Sequence, residues 1–209
     1  MLNKNGKFIN FKYVQGQIIN GFREYFYFIN KEGLLYLDDW SNKNFTTNYK
    51  DIKFLEYFFN GMNLNTDKRN KEYFPFAAHY GKEKNYVRCS DRPIVFTSTV
   101  QKHDKYYLAY GHTNNSLLIE FIPEAIFVNP INFRMYHPAK QQHSGIGLIR
   151  SSLAFELSNN LVWDIKSEKD IFEHPTHFHW NDKYYKLNLQ LMKMFKTEPP
   201  YLKGTDHKS

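Results

Sequence analysis

A single cysteine, Cys89, stands among the 209 residues, which excludes an intrachain disulfide and a zinc ribbon built on thiolates. A chain without disulfides suits a reducing compartment or an organelle matrix. No apolar run approaches the roughly 18 residues a helix needs to cross a bilayer, so a soluble protein with no transmembrane segment is expected. The Gly-Lys-Ser/Thr of a P-loop, the dinucleotide fingerprint, Gly-x-Ser-x-Gly and His-Glu-x-x-His are all missing, and with them the commonest signatures of nucleotide, esterase and zincin chemistry. Acidic residues are missing as well from "MLNKNGKFINFKYVQGQIINGFR", which carries Lys4, Lys7, Lys12 and Arg23 ahead of Glu24. A basic, acid-free amino terminus suits mitochondrial import. Residues 1–12 are therefore read as a targeting extension, although a first β-strand would have much the same composition.

What the chain has in abundance is aromatic surface: 19 Phe and 16 Tyr, within an apolar share of 42% and at a mean hydropathy of −0.65. Aromatics bury a large area each, so a substantial core forms despite the polar average, and disorder is excluded for the bulk of the chain. The length suits one compact domain. We place it at residues 13–196, with halves 13–65 and 71–196 about the polar tract "NLNTDKRNKE" and a flexible tail over 197–209. The net charge of +7 and the pI near 9.2 suit nucleic acid, an anionic membrane or an acidic partner. The positive residues are scattered rather than stacked in a run. That pattern is a solvated basic surface with weak, non-specific affinity for nucleic acid.

The element pattern is β-rich α+β: antiparallel hairpins forming one or two small sheets or barrels, with one or two short helices. "FREYFYFINKEGLLYLDD" reads as a hairpin about Asn30 to Gly33, "KYYLAYGHTNNSLLIEF" as another about Gly111 to Asn115, and "THFHWNDKYYKLNL" as a third about Asn181-Asp182. "NYKDIKFLEYFFNGM" is the best helix, with Phe54, Leu55, Phe58 and Phe59 on one face, Asn48 or Asp51 as cap and Gly61 as stop. "EYFPFAAHY", "KNYVRCS", "PIVFTSTV" and Ile146 to Ile149 read as strands. From Ser152 periodicity fits helix and strand equally. "REYFYFINKEG" and "KEYFPFAAHYG" echo one another, which in so aromatic a chain is more often chance than duplication.

Three polar segments interrupt these runs, and loops held by a rigid scaffold are where function tends to sit. "NYVRCSDRPIVF" places Arg88, Asp91 and Arg92 about a tight turn, two guanidiniums near a carboxylate that can receive an anion. "HSGIGLIRSS" adds Gly145, Gly147 and Arg150, a loop that lets backbone amides approach a ligand. His137 precedes it. We expect Asp91, Arg92, His137 and Arg150 to line one concave surface. The string "THFHW" resembles the one that holds zinc in α-class carbonic anhydrases, and in a strand His177 and His179 would share a face about 6.6 Å apart. Catalytic zinc takes three protein ligands, and the next histidine here is His207, in the polar tail. His177 and His179 are thus weak metal candidates, and no metal or other cofactor is expected.

"YVQGQ", "REYFYFINKEGLLYLDD", "KNF", "NYVRCSDRPIVFT", "YHPA" and "GIGLIRSSLAFELS", in this order over Tyr13 to Asn160, resemble uncharacterised protein family 0598. That family has no assigned activity, so the resemblance implies no catalytic residue; its animal members look mitochondrial and relatives occur in bacteria. The leading expectation is a non-catalytic accessory or binding protein of mitochondria whose partner is a protein or an anionic small molecule. Two alternatives stand beside it. One is an enzyme acting on an anionic small molecule near Asp91, Arg92, His137 and Arg150. The other is an RNA-binding protein that uses exposed Tyr and Lys.

Overall fold

The computed structural model describes residues 11–163 and 174–203. Nearly all of the expected targeting extension, and His207, lie outside them. The first sheet is built from β1 (Gln17–Ile19), β2 (Phe22–Ile29), β3 (Leu35–Leu37), β4 (Met62–Leu64), β5 (Phe76–Tyr80) and β6 (Glu83–Cys89), with α1 (Ile52–Gly61) between β3 and β4. Its order is β1-β2-β6-β5-β4, with β3 also paired to β2. Neighbours run antiparallel except β2 and β6, which run parallel from Arg23 opposite Glu83 to Ile29 opposite Cys89. A parallel pair needs a long crossover, and β3, α1, β4 and β5 supply it.

The second sheet holds β7 (Val95–Lys102), β8 (Lys105–Tyr110), β9 (Leu118–Glu120), β10 (Phe127–Val128), β11 (Met135–Pro138) and β12 (Ile146–Ile149), in the order β10-β11-β12-β7-β8-β9. A parallel pairing of β12 with β7 closes its centre. Then come α2 (Ser151–Ser158), the small third sheet β13 (Leu161–Val162), β14 (His177–Trp180) and β15 (Lys183–Lys186), and α3 (Gln190–Thr197). The α+β class holds, as three open sheets. The described α-helices number three: the segment from Ser151 is a helix rather than a strand, and α3 occupies a stretch to which the sequence pattern assigned no element.

Local chemistry explains the elements. Asp51 caps α1, its carboxylate accepting from the Phe54 amide at 2.7 Å, and Leu55, Phe58 and Phe59 bury the inner face. In β2, alternation sends Tyr27 and Ile29 into the main core, while Phe26 joins Phe74 and Tyr86 in a second aromatic cluster on the opposite face. The main core is continuous from the first sheet through α1 and the second sheet to Leu153, Phe178 and Leu191. The tract near residue 65 is no boundary between halves, because it connects β4 and β5, which pair within one sheet. Nor are the two aromatic echoes one repeated unit: Glu24, Tyr25 and Phe26 lie in a strand, whereas Glu72 and Tyr73 lie in the turn before β5. The expected flexible tail is tied down at its start. Thr197 ends α3, Glu198 reaches into the core, and Leu202 is buried.

Candidate functional site

The turn after β6 and the start of β11 meet in a buried ionic network. Arg92 is 1% exposed and holds Glu198 through both terminal nitrogens, at 2.6 and 2.7 Å. Its Nε lies 3.5 Å from the Asp91 carboxylate, and its guanidinium sits 4.5 Å over the Phe195 ring. The other oxygen of Asp91 accepts from Arg134 Nη1 at 2.5 Å and from the Tyr136 hydroxyl at 2.9 Å. Arg134 and Tyr136 reach the same carboxylate because residues two apart share a strand face. Burial works against the Arg92 charge, yet the Glu198 hydrogen bonds and the nearby Asp91 hold its pKa above the ordinary value. Burial and Asp91 likewise push the Tyr136 hydroxyl well up. Two carboxylates face two guanidiniums, and that balance is what permits these charges to be buried.

The other expected site residues go elsewhere. Arg88 pairs with Asp38 at 2.6 Å and lies over the Phe28 ring. It stays on β6, whereas Asp91 lies in the turn beyond the strand. His137 points to the face opposite Tyr136, stacked on Phe121 and edge-on to Phe96. Its Nε2 accepts from the Ile122 amide at 2.9 Å and its Nδ1 lies 2.9 Å from the Pro138 carbonyl. Those two partners fit a neutral ring with its proton on Nδ1, and burial pushes its pKa down to about 4. Arg150 precedes α2 at the β2–β3 turn, its Nη2 donating to the Thr97 carbonyl at 3.4 Å and its Nε 3.8 Å from Glu32. The four residues thus divide among three places. Charge pairing fixes Asp91 and Arg92, desolvation fixes His137, and the end of β12 fixes Arg150.

Nor do the two glycines present amides to a ligand. A Cβ on Gly147 would stand 2.5 Å from the Phe96 ring, so this position makes room for an aromatic. Gly145 takes a φ of +75° in the turn, with Met194 packed against it. His177 and His179 lie on β14 as expected. His179 stacks on Tyr184, and Nδ1 of His177 lies 3.0 Å from the Thr176 hydroxyl. Among the described residues no three His, Cys, Asp or Glu side chains come together as a metal site. The described helices include none long and apolar enough to cross a membrane.

Two clefts remain. A small polar one of about 250 Å³ is lined by Thr97, Tyr110, His112 and Asn115 among others, with His112 Nε2 2.7 Å from the Glu32 carbonyl. The second, of about 320 Å³, is an apolar groove that runs along α2. Ser151, Ala154, Phe155 and Ser158 face it, the i, i+3, i+4, i+7 stripe of the helix, while Leu153 and Leu157 anchor the opposite side in the core. Its far wall comes from Met135 and Leu148. Phe133 and Phe155 stand at the groove 79% and 76% exposed, beside Ile131 at 88%. Lys31 and Arg134 are the charged residues of the lining. Sequence reasoning overlooked this groove. The available signal was Phe155, an aromatic on the outer face of an amphipathic helix.

The family described as "Domain of unknown function (DUF4505)" matches residues 15–192, the greater part of the chain. The chain belongs to the DUF4505 family. A family without an assigned activity is what the sequence resemblance implied. Among solved structures, this DUF4505 chain is similar to a DUF1285 family protein from Shewanella baltica OS155, at 14% identity and a TM-score of 0.41, over 64% of this chain and 90% of that one. It is also similar to a DUF1285 family protein from Silicibacter pomeroyi DSS-3, at 12% identity and a TM-score of 0.44, over 84% and 89%.

Proposed function

We propose that this protein binds a ligand or partner through the apolar groove along α2, and that it does so without transforming it. The observation that carries this reading is the pair Phe133 and Phe155, two aromatics left in solvent at a groove whose floor is aliphatic. Contiguous exposed apolar surface on a folded protein marks an interaction site. The polar groups a catalyst would use are engaged elsewhere: Asp91 and Arg92 neutralise each other's neighbours, and His137 is a buried acceptor for the Ile122 amide. The proposal includes the finer family assignment, uncharacterised protein family 0598, and a mitochondrial compartment. The acid-free basic stretch before Glu24 supports the latter.

Nile red, a neutral dye whose emission shifts to the blue in apolar surroundings, tests the groove directly. Wild-type protein is expected to shift it, and Phe155→Asp or Phe133→Asp is expected to abolish the shift with circular dichroism unchanged. A dye signal indifferent to both substitutions in folded protein would overturn the reading.

A further inference from the structure

Among the described residues, the three most exposed large apolar side chains are Ile131, Phe133 and Phe155. Two of them belong to one turn, residues 129–134, which joins β10 to β11. That turn is held from within. The Asn129 amide donates to the Arg134 carbonyl at 2.9 Å, and the Phe133 amide to the Asn129 carbonyl at 2.8 Å. The side-chain oxygen of Asn129 accepts from the Ile131 amide at 2.9 Å, and that of Asn132 from the Arg134 amide at 3.0 Å. The Asn132 side chain also donates to the buried Tyr136 hydroxyl at 3.2 Å, which ties the turn to the core. Phe133 takes a φ of +55°, a conformation that a bulky side chain rarely adopts. A rigid support thus presents Ile131 and Phe133 to solvent, against both the hydrophobic effect and backbone preference. Phe155, on α2, shares the groove with Phe133, and Trp163, itself exposed, follows two positions after the groove residue Leu161.

We infer that this patch docks on an anionic phospholipid bilayer, with Ile131 and Phe133 entering the head-group region and Phe155 beside them. The inference rests on the reading above, whose groove Phe133 and Phe155 share, and names its partner. Area favours a bilayer over a second folded copy. Three side chains of about 200 Å² each, mostly exposed, offer roughly 500 Å², and a stable protein interface uses about 800 Å² on each partner. A bilayer sets no such minimum. Shape points the same way. Side chains that project from a turn need a matching pocket in a protein partner, whereas lipid head groups part around them and aromatic and branched chains settle at the acyl boundary. The chain carries a net charge of +7, which draws it to an anionic leaflet, and the groove lining contains no acid to oppose the approach. Lys31 and Arg134 are engaged within the molecule, so the attraction belongs to the basic surface as a whole and no head-group contact is assigned to either.

The test is co-sedimentation of the full chain with vesicles at physiological salt, made of phosphatidylcholine alone or of phosphatidylcholine and phosphatidylglycerol in equal parts. Binding to the mixed vesicles is expected to be about tenfold tighter than to the neutral ones. Ile131→Ser removes apolar surface without adding charge, and should weaken binding about tenfold with circular dichroism unchanged. Phe45→Ser, the same kind of loss at an exposed aromatic on the loop before α1, should leave binding as it was. Ile131 is not part of the groove lining, so Ile131→Ser should also keep the Nile red shift. Vesicle binding that is indifferent to Ile131→Ser and removed by salt alone would overturn the inference in favour of simple adhesion by the basic surface. Equal binding to neutral vesicles would overturn it by removing the role of charge. A concentration-dependent dimer in analytical ultracentrifugation, lost in Ile131→Ser, would make a second copy the occupant instead. Protein that shifts Nile red but ignores both vesicles would sink this inference and leave the groove reading standing, and protein that does neither would sink both.

Discussion

His137 and His143 are fully buried and neutral, and each is held by backbone. Nε2 of His143 lies 3.1 Å from the Phe59 carbonyl, and burial pushes its pKa down to about 4, as it does for His137. In the unfolded chain both rings titrate near 6.5. Between those values the unfolded state binds protons that the folded state refuses, so stability is fully present above 6.5 and falls as the pH drops toward 4. The slope is roughly 1.4 kcal/mol per pH unit for each ring. We expect the thermal midpoint to fall already between pH 6.5 and 5, above the ordinary carboxylate range. His137 or His143 imidazole resonances that titrate near 6.5 in the native protein would contradict this. Neither burial was legible in the sequence. A histidine between Tyr136 and Pro138 looks the same whether it faces solvent or Phe121.

At the scale of elements, local pattern predicted well and long-range partnership did not. The hairpin turns at Asn30 to Gly33 and Asn181-Asp182 fall where turn chemistry put them, and of the two cap candidates, Asn48 and Asp51, it is Asp51 that caps α1. Helix α3 escaped notice because its apolar side is held by tertiary contacts, Leu191 in the core and Phe195 against Tyr136. Just past it, Glu198 forms both hydrogen bonds to Arg92 across 106 positions of sequence. Removing one partner of a buried ion pair strands the other, at a cost of about 3–5 kcal/mol. Glu198→Leu should therefore lower the urea-unfolding free energy by about that amount. A loss of less than about 1 kcal/mol, the usual value of a surface pair, would show that Arg92 finds another partner.

The whole molecule joins three sheets about one core, and the turn between β2 and β3 lies where the two large sheets, α2 and both clefts approach each other. Nothing local to residues 30–33 announces that role. The mitochondrial proposal belongs to this scale too, and it rests on the acid-free basic stretch before Glu24. Deleting residues 1–12 should redistribute a tagged protein from mitochondria to the cytosol while the protein stays folded, its thermal midpoint falling only modestly. Full-length protein found in the cytosol alone would refute the compartment. Phe11 packs near Tyr73 and Phe74, so a modest loss of stability in that deletion would be read as lost packing and checked with Phe11 restored.

Taken alone, the sequence determined the α+β class, several strands and hairpin turns and the best helix, because these follow from backbone sterics and from periods of 2 and 3.6 that operate within a few residues. It also determined which side chains were unusual: a lone cysteine, a paired Asp91-Arg92, two glycines before Arg150. What those side chains do was decided by tertiary structure. Arg88 stays on β6 with Asp38 while Asp91 lies in the turn beyond the strand, and alternation along β11 sends His137 and Tyr136 to opposite faces, a separation that leaves no mark on composition. The partner of Arg92 came from the far end of the chain, and the role of Gly147 was set by Phe96 on a strand 51 positions earlier. The groove exists because α2, β11 and β12 pack at one place and leave Phe133 and Phe155 uncovered. Such contacts are fixed by the burial of a shared core, and no segment carries that information by itself.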